Sequence, residues 1–150
     1  MAWVERATVD WGHWDLRSWL HRPLPDRILE RFNEEQAHFD IRFLEDLLAH
    51  VGESPDILTH LGYLYTQVRR HRDALAVDLR LVALRPRDAT AFYNLACSHS
   101  LLKQNTRAFK ALKRALQLGY RDLDRMQEDT DLENLRLDPR WNDVVSVLKS

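Results

Sequence analysis

Residues 55–88 read PDILTHLGYLYTQVRRHRDALAVDLRLVALRPRD, and residues 89–122 read ATAFYNLACSHSLLKQNTRAFKALKRALQLGYRD. A shift of 34 residues lays Leu58 on Phe92, Leu61 on Leu95, Gly62 on Ala96, Ala74 on Ala108, Val82 on Leu116 and Asp88 on Asp122. Large side chains fall on large and small on small, apart from Leu81 on Ala115. Self-similarity at this period marks a chain built from stacked supersecondary units.

Each unit reads as two helices. Leu58, Leu61, Gly62 and Tyr65 share one face of a 3.6-residue helix, which Ser54 and Pro55 start as N-cap and first helical position. The polar run Arg69–Arg72 makes a turn, a second helix carries Ala74, Leu75, Leu81, Val82 and Leu84, and Pro86 forbids its continuation. The spacing predicts the same pair again as Thr90–Leu102 and Thr106–Leu118, with Gly119 as the stop. Gly62 is expected to face Ala74, and Ala96 to face Ala108, because small side chains let two helices approach closely. Asp78 stands where the second unit has Leu112, and is expected to pair with an arginine or to tilt toward solvent.

A 34-residue helix–turn–helix unit with Leu61-Gly62-Tyr63-Leu64-Tyr65, a later Ala and a terminal Pro resembles the tetratricopeptide repeat. The resemblance covers residues 55–122 and implies an all-α, antiparallel helix-turn-helix array. Such arrays need capped ends. Upstream, residues 26–54 are read as a degenerate repeat of two helices, about Asp26–Ala37 and Phe39–Val51, with Ile28, Phe32, Phe39, Phe43, Leu44, Leu47 and Leu48 as their apolar positions. Downstream, residues 123–150 are read as a cap. The run Asp131-Leu132…Leu135-Arg136…Asp138-Pro139-Arg140-Trp141 is similar to the ending of many bacterial proteins of this family. Trp141, Val144, Val145 and Leu148 form the stripe of its last helix.

Composition bounds the rest. The chain has 150 residues, 45% hydrophobic and 30% charged, with four Gly and five Pro, which suits a helical domain with short connections. Cys97 is the only cysteine, and acidic residues at 5, 10 and 15 break any signal-peptide core, so a cytoplasmic protein without membrane contact is expected. Net charge runs −5 over residues 1–54, +7 over 55–120 and −3 over 121–150. A basic middle between acidic ends either attracts an acidic partner or pairs with its own flanks. Residues 1–25 hold Trp3, Trp11, Trp14 and Trp19, which are read either as a cap or as a docking and self-association segment.

No phosphate loop, Cys-x-x-Cys pair, His-Glu-x-x-His or Gly-x-Ser-x-Gly is present. None of the seven histidines has a His or Cys three or four residues away, and Cys97 and His99 point apart on a helix. An enzyme, a cofactor and a metal are therefore not expected. A basic stripe of Lys103, Arg107, Lys110, Lys113 and Arg114, with Arg69, Arg70 and Arg72, supports a rival reading as a nucleic-acid-associated module. In the family resembled, the first helices of successive repeats line a concave groove for peptides or helices of other proteins. Carried onto this chain, the groove positions are Thr59, Tyr63, Thr66, Gln67, Tyr93, Asn94, Cys97 and Ser100, a polar, aromatic and uncharged set; Trp11 and Trp14 join them as candidate partner-binding residues. Thr59 and Tyr63 stand where co-chaperones of the family use Lys and Asn to grip acidic tails, so that carboxylate clamp is absent.

Overall fold

The computed structural model describes residues 26–149, and among them all regular structure is helical, with no strand. Residues 1–25, with Trp3, Trp11, Trp14 and Trp19, lie outside the described residues, as do the side chains of Ile28 and Phe32. The chain divides into the units Met1–Asn33 and Glu34–Ser150, and the packing that builds the groove lies within the second.

The first helix, α1 (Asp26–Val51), is one continuous rod and not the expected pair. Nothing between Ala37 and Phe39 breaks a helix: there is no Gly or Pro from Asp26 to Val51, and Gln36 donates to Asp40 one turn on at 2.7 Å. The rod buries Ile41 and Leu48 and leaves Phe39 and Phe43 58% and 57% exposed. The apolar positions of that segment therefore split between two faces.

Four helices of nearly equal length follow: α2 (Pro55–Gln67), α3 (His71–Leu84), α4 (Ala89–Leu101) and α5 (Asn105–Gln117). Pro55 opens α2, and Asp88 caps α4 by accepting from the backbone N–H groups of Thr90 and Ala91 at 2.9 and 3.1 Å. Three-residue connections fold α2 onto α3 and α4 onto α5, and α3 also packs against α4. Both tight connections place a non-glycine residue in the left-handed region, Arg69 at φ 59° and Lys103 at φ 57°. In each, backbone N–H groups return to the last carbonyls of the helix, Arg70 to Tyr65 at 2.7 Å and Gln104 to His99 at 2.9 Å.

Two apolar cores result. Ile41, Leu48, Leu58, Leu61, Tyr65, Ala74, Val77, Leu81 and Ala91 form the first. Tyr93, Leu95, Ala96, Ala108, Leu112 and Ala115 begin the second, which the tail completes. That tail runs through α6 (Leu123–Glu128), a 3₁₀ turn (Thr130–Leu132), α7 (Glu133–Arg136) and α8 (Trp141–Lys149). Met126, Leu132 and Leu135 are fully buried, Trp141 and Val144 nearly so, and Arg136 ties the tail together by donating to the carbonyls of Met126 and Asp129 at 3.2 and 2.6 Å.

The side chains nearest the Cβ position of Gly62 belong to the turn of α3 that follows Ala74. A Cβ on Gly62 would lie 3.0 Å from Asp78 Oδ1 and 3.5 Å from Val77 Cγ2. Asp78 meets neither an arginine nor solvent, contrary to expectation: it is 4% exposed and accepts a 2.6 Å hydrogen bond from the hydroxyl of Ser98 on α4. Burial pushes its pKa from 3.8 up to about 6, with the Ser98 hydroxyl pulling the other way. The basic middle does pair with the acidic segment before it, through Arg70 with Glu45 at 3.6 Å and Arg80 with Glu53 at 2.5 Å. These pairs are exposed and contribute about 0–1 kcal/mol each. Among the described residues, no helix is long and apolar enough to cross a membrane.

Candidate functional groove

An open groove of about 870 Å³ runs along α2 and α4. It is lined by Thr59, Tyr63, Thr66 and Gln67 from α2 and by Tyr93, Asn94 and Cys97 from α4. Seven of the eight helix positions singled out from sequence thus meet in one concavity. Ser100 does not: it is 0% exposed, and its backbone carbonyl accepts from the side chain of Asn134 at 3.1 Å. The reason is the tail, since the 3₁₀ turn and α7 pack on α4 and cover its last turn. Trp11 and Trp14 lie outside the described residues.

The seven are not alike in availability. Tyr63 is 63% exposed, Thr59 and Gln67 are exposed, and Thr66 and Asn94 are half-buried. These present a ring, hydroxyls and amides to the groove. Thr59 and Thr66 also donate to the carbonyls of Pro55 and Gly62 at 2.8 and 3.0 Å, which fixes their rotamers. Tyr93 and Cys97 form the floor, buried and engaged internally. The Tyr93 ring stacks on Tyr120 with centroids 4.4 Å apart, its hydroxyl donates to Asp129 Oδ2 at 2.6 Å, and the Arg125 guanidinium lies 5.6 Å from its centroid. Burial, first of all, pushes the Tyr93 phenol far above its ordinary range.

The expectation of an uncharged groove does not hold. The lining also includes His60, Arg69 and His71 from the first hairpin, and Arg125, Asp129, Thr130 and Asp131 from the tail. Asp129 Oδ1 caps the 3₁₀ turn by accepting from the Asp131 N–H at 3.0 Å, while its Oδ2 takes the Tyr93 hydroxyl and lies 3.9 Å from Cys97 Sγ. Burial and the neighbouring Asp129 raise the Asp131 carboxyl, and His71 acts against that rise. Burial, followed by Asp129 and Asp131, pushes the Cys97 thiol well above its usual range. The thiol is therefore protonated and inert as a nucleophile near neutral pH. Nothing in the spacing of residues 97, 129 and 131 announces this junction, because the tail folds back across α4 to make it.

His99 is packed as expected, 7% exposed with its ring nitrogen 2.9 Å from Gln104 Oε1. The cations Lys103, Arg107, Lys110, Lys113 and Arg114 are all exposed, and none forms an ion pair among the described residues.

No protein-family model matches the chain, and no solved structure does. A stretch of 52 residues, 34% of this chain, is 46% identical to part of a chloroplastic protein of Arabidopsis thaliana. The match spans 16% of that protein's length.

Proposed function

We propose that this chain is a tetratricopeptide-repeat adaptor that holds an extended or helical segment of another protein in the groove between α2 and α4, and that it performs no catalysis. The observation that carries this is the convergence of Thr59, Tyr63, Thr66, Gln67 and Asn94 on one open concavity. The repeat reading has further support in the helix starts at Pro55 and Ala89, and at His71 and Asn105, which keep the 34-residue offset of the sequence. The left-handed residues Arg69 and Lys103 keep it too. A partner segment is read by ring contact with Tyr63 and by amide and hydroxyl bonding, with Arg69 on one side and the Asp129–Asp131 stretch on another supplying charge.

Panning a random-peptide phage library on the full chain tests this. Binders are expected to lose about tenfold in affinity on Tyr63→Ala, the size of a typical interface anchor. Melting is expected to stay put, since Tyr63 is exposed. Peptides that bind Tyr63→Ala and Asn94→Ala as well as the natural chain would remove the groove from consideration.

A second reading, contact with nucleic-acid phosphates along α5 and the turn before it, is favoured by the five exposed cations that lack acidic partners there. Binding of that kind collapses with added salt, whereas groove binding changes little. Titration of a labelled oligonucleotide at two ionic strengths separates the two.

A further inference from the structure

The groove holds a buried acid with no cation to answer it. Asp78, from α3, lines the groove beside Gly62 and Ser98, although only 4% of it is exposed. Its Oδ2 accepts from the Ser98 hydroxyl at 2.6 Å. Its Oδ1 takes no hydrogen bond among the described residues, yet it is not sealed off as the Ser100 hydroxyl is. No ion pair among the described residues involves Asp78. Burial raises its proton affinity, and the Ser98 hydroxyl alone opposes that. The other groove acids have positive neighbours: His71 offsets part of the rise at Asp131, and Asp129 acts on Arg125. A buried carboxylate with one donor and no counter-charge is costly. Gly62 keeps this one within reach. It lines the groove too, and a Cβ there would stand 3.0 Å from Oδ1, so a side chain at that position would lie against the oxygen. The second hairpin has Ala96 and Leu112 in these places, both 0% exposed, and presents no such acid.

We propose that Asp78 Oδ1, reached beside Gly62, anchors a lysine side chain of the segment held in the groove. The proposal rests on the groove being a peptide site and adds what that peptide carries. The chemistry selects lysine over arginine. A guanidinium pairs best with both oxygens of a carboxylate at once, and the Ser98 hydroxyl already holds Oδ2. An ammonium is compact and has three donors. One meets Oδ1, and a second meets the Ser98 oxygen, whose own proton is turned toward Asp78. At neutral pH the Asp78 carboxyl, with its pKa about 6, is mostly ionised before the peptide arrives. The lysine therefore supplies the missing positive charge, and no covalent bond changes.

The probes are peptides panned from a random library on the full chain and kept only where Tyr63→Ala weakens them. They are expected to share a lysine. Its replacement by methionine is expected to lower affinity for the natural chain about thirtyfold or more, and its replacement by arginine about threefold or more. Asp78→Asn keeps an oxygen for the Ser98 hydroxyl and removes the charge. On that variant the lysine and methionine peptides are expected to bind alike. Should Asp78→Asn lose its helical circular dichroism, Gly62→Ala takes its place, since the added methyl stands against Oδ1 and is expected to remove most of the advantage of lysine. The proposal is overturned, with the groove reading intact, if the Tyr63-dependent peptides share no lysine, or if their lysine and arginine versions bind equally. It is also overturned if a folded Asp78→Asn, or Gly62→Ala in its stead, keeps the full loss on lysine-to-methionine replacement, which would send the ammonium to Asp129 or Asp131. If no selected peptide depends on Tyr63, the groove reading and this proposal fall together.

Discussion

The two hairpins, α2–α3 and α4–α5, share length, connection and register, yet they solve one packing problem in opposite ways. In the second, Ala96 and Leu112 fill the space between the helices with methyl groups, both fully buried. In the first, the matching positions are Gly62 and Asp78. The missing Cβ of Gly62 is the space that the Asp78 carboxylate occupies, with Oδ1 3.0 Å from where that Cβ would stand. The acid is then answered from the other hairpin, by the Ser98 hydroxyl. A backbone plan held in common therefore carries two kinds of interior, one apolar and self-sufficient, one polar and dependent on its neighbour. The polar one couples the hairpins, because α3 reaches α4 through a hydrogen bond as well as through packing.

The largest expected effect comes from writing the first interior into the second. Leu112→Asp puts a carboxylate in the place of a fully buried leucine. Loss of about 4 kcal/mol or more is expected, enough to unfold most of the protein. Urea denaturation followed by circular dichroism measures it, and a midpoint near that of the natural chain would show that the two interiors tolerate the same chemistry.

Next comes the acid itself. The folded-state pKa of Asp78, about 6, lies above the 3.8 of the unfolded chain. Its contribution to stability is therefore fully present below pH 4 and is lost as pH rises through 6, a span of about 3 kcal/mol. Asp78→Asn keeps the shape and removes the titration. Relative to the natural chain, the variant should gain stability between pH 4 and about pH 6 and level off above about pH 7, whatever other groups do. A constant difference between the two melting curves across that range would mean that Asp78 titrates as an exposed carboxyl does. Gly62→Leu should cost about 1–3 kcal/mol by forcing a side chain onto Asp78 and Val77. Ala96→Gly in the second hairpin removes one methyl and about 1 kcal/mol of helix preference. If the two changes cost the same, the close approach at Gly62 has been misread.

What could be read from the sequence follows from how local each cause is. The ends of α2, α4 and α5 fall within a residue of the predicted ones because Pro55, Asp88 and Gly119 act on their own turns. The unbroken α1 departs from the paired helices of the other units, and its cause is local too: no breaker stands between Asp26 and Val51. Seven groove positions followed from the family resemblance carried onto the helical period. Ser100 did not, because the covering by Asn134 and α7 is set by where the tail folds, thirty-odd residues later. The same fold-back brings Asp129 and Asp131 to Cys97, so the charge of the groove could not be found by spacing. The fate of Asp78 depended on a hydroxyl 20 residues away on the next hairpin, beyond reach of any local pattern.

The smallest expected effect tests the part the hairpins share most closely, their turns. Arg69 and Lys103 sit 34 positions apart with positive φ, where a Cβ meets the following carbonyl and glycine does not. Each turn keeps its return hydrogen bonds, so strain there is tolerated and not relieved. Lys103→Gly removes the clash but gives the unfolded chain more freedom, so the net gain is expected to be small, about 0.5–1 kcal/mol, seen as a rise in melting temperature. Arg69→Gly should give the same gain, since the backbone there is nearly the same. The two differ in one respect: Arg69 lines the groove, whereas Lys103 does not. Library-selected peptides should therefore bind Lys103→Gly unchanged and Arg69→Gly more weakly, with both proteins slightly more stable than the natural chain. Equal binding by the two variants would leave Arg69 as a turn residue only and move the charge recognition of the groove to the Asp129–Asp131 side.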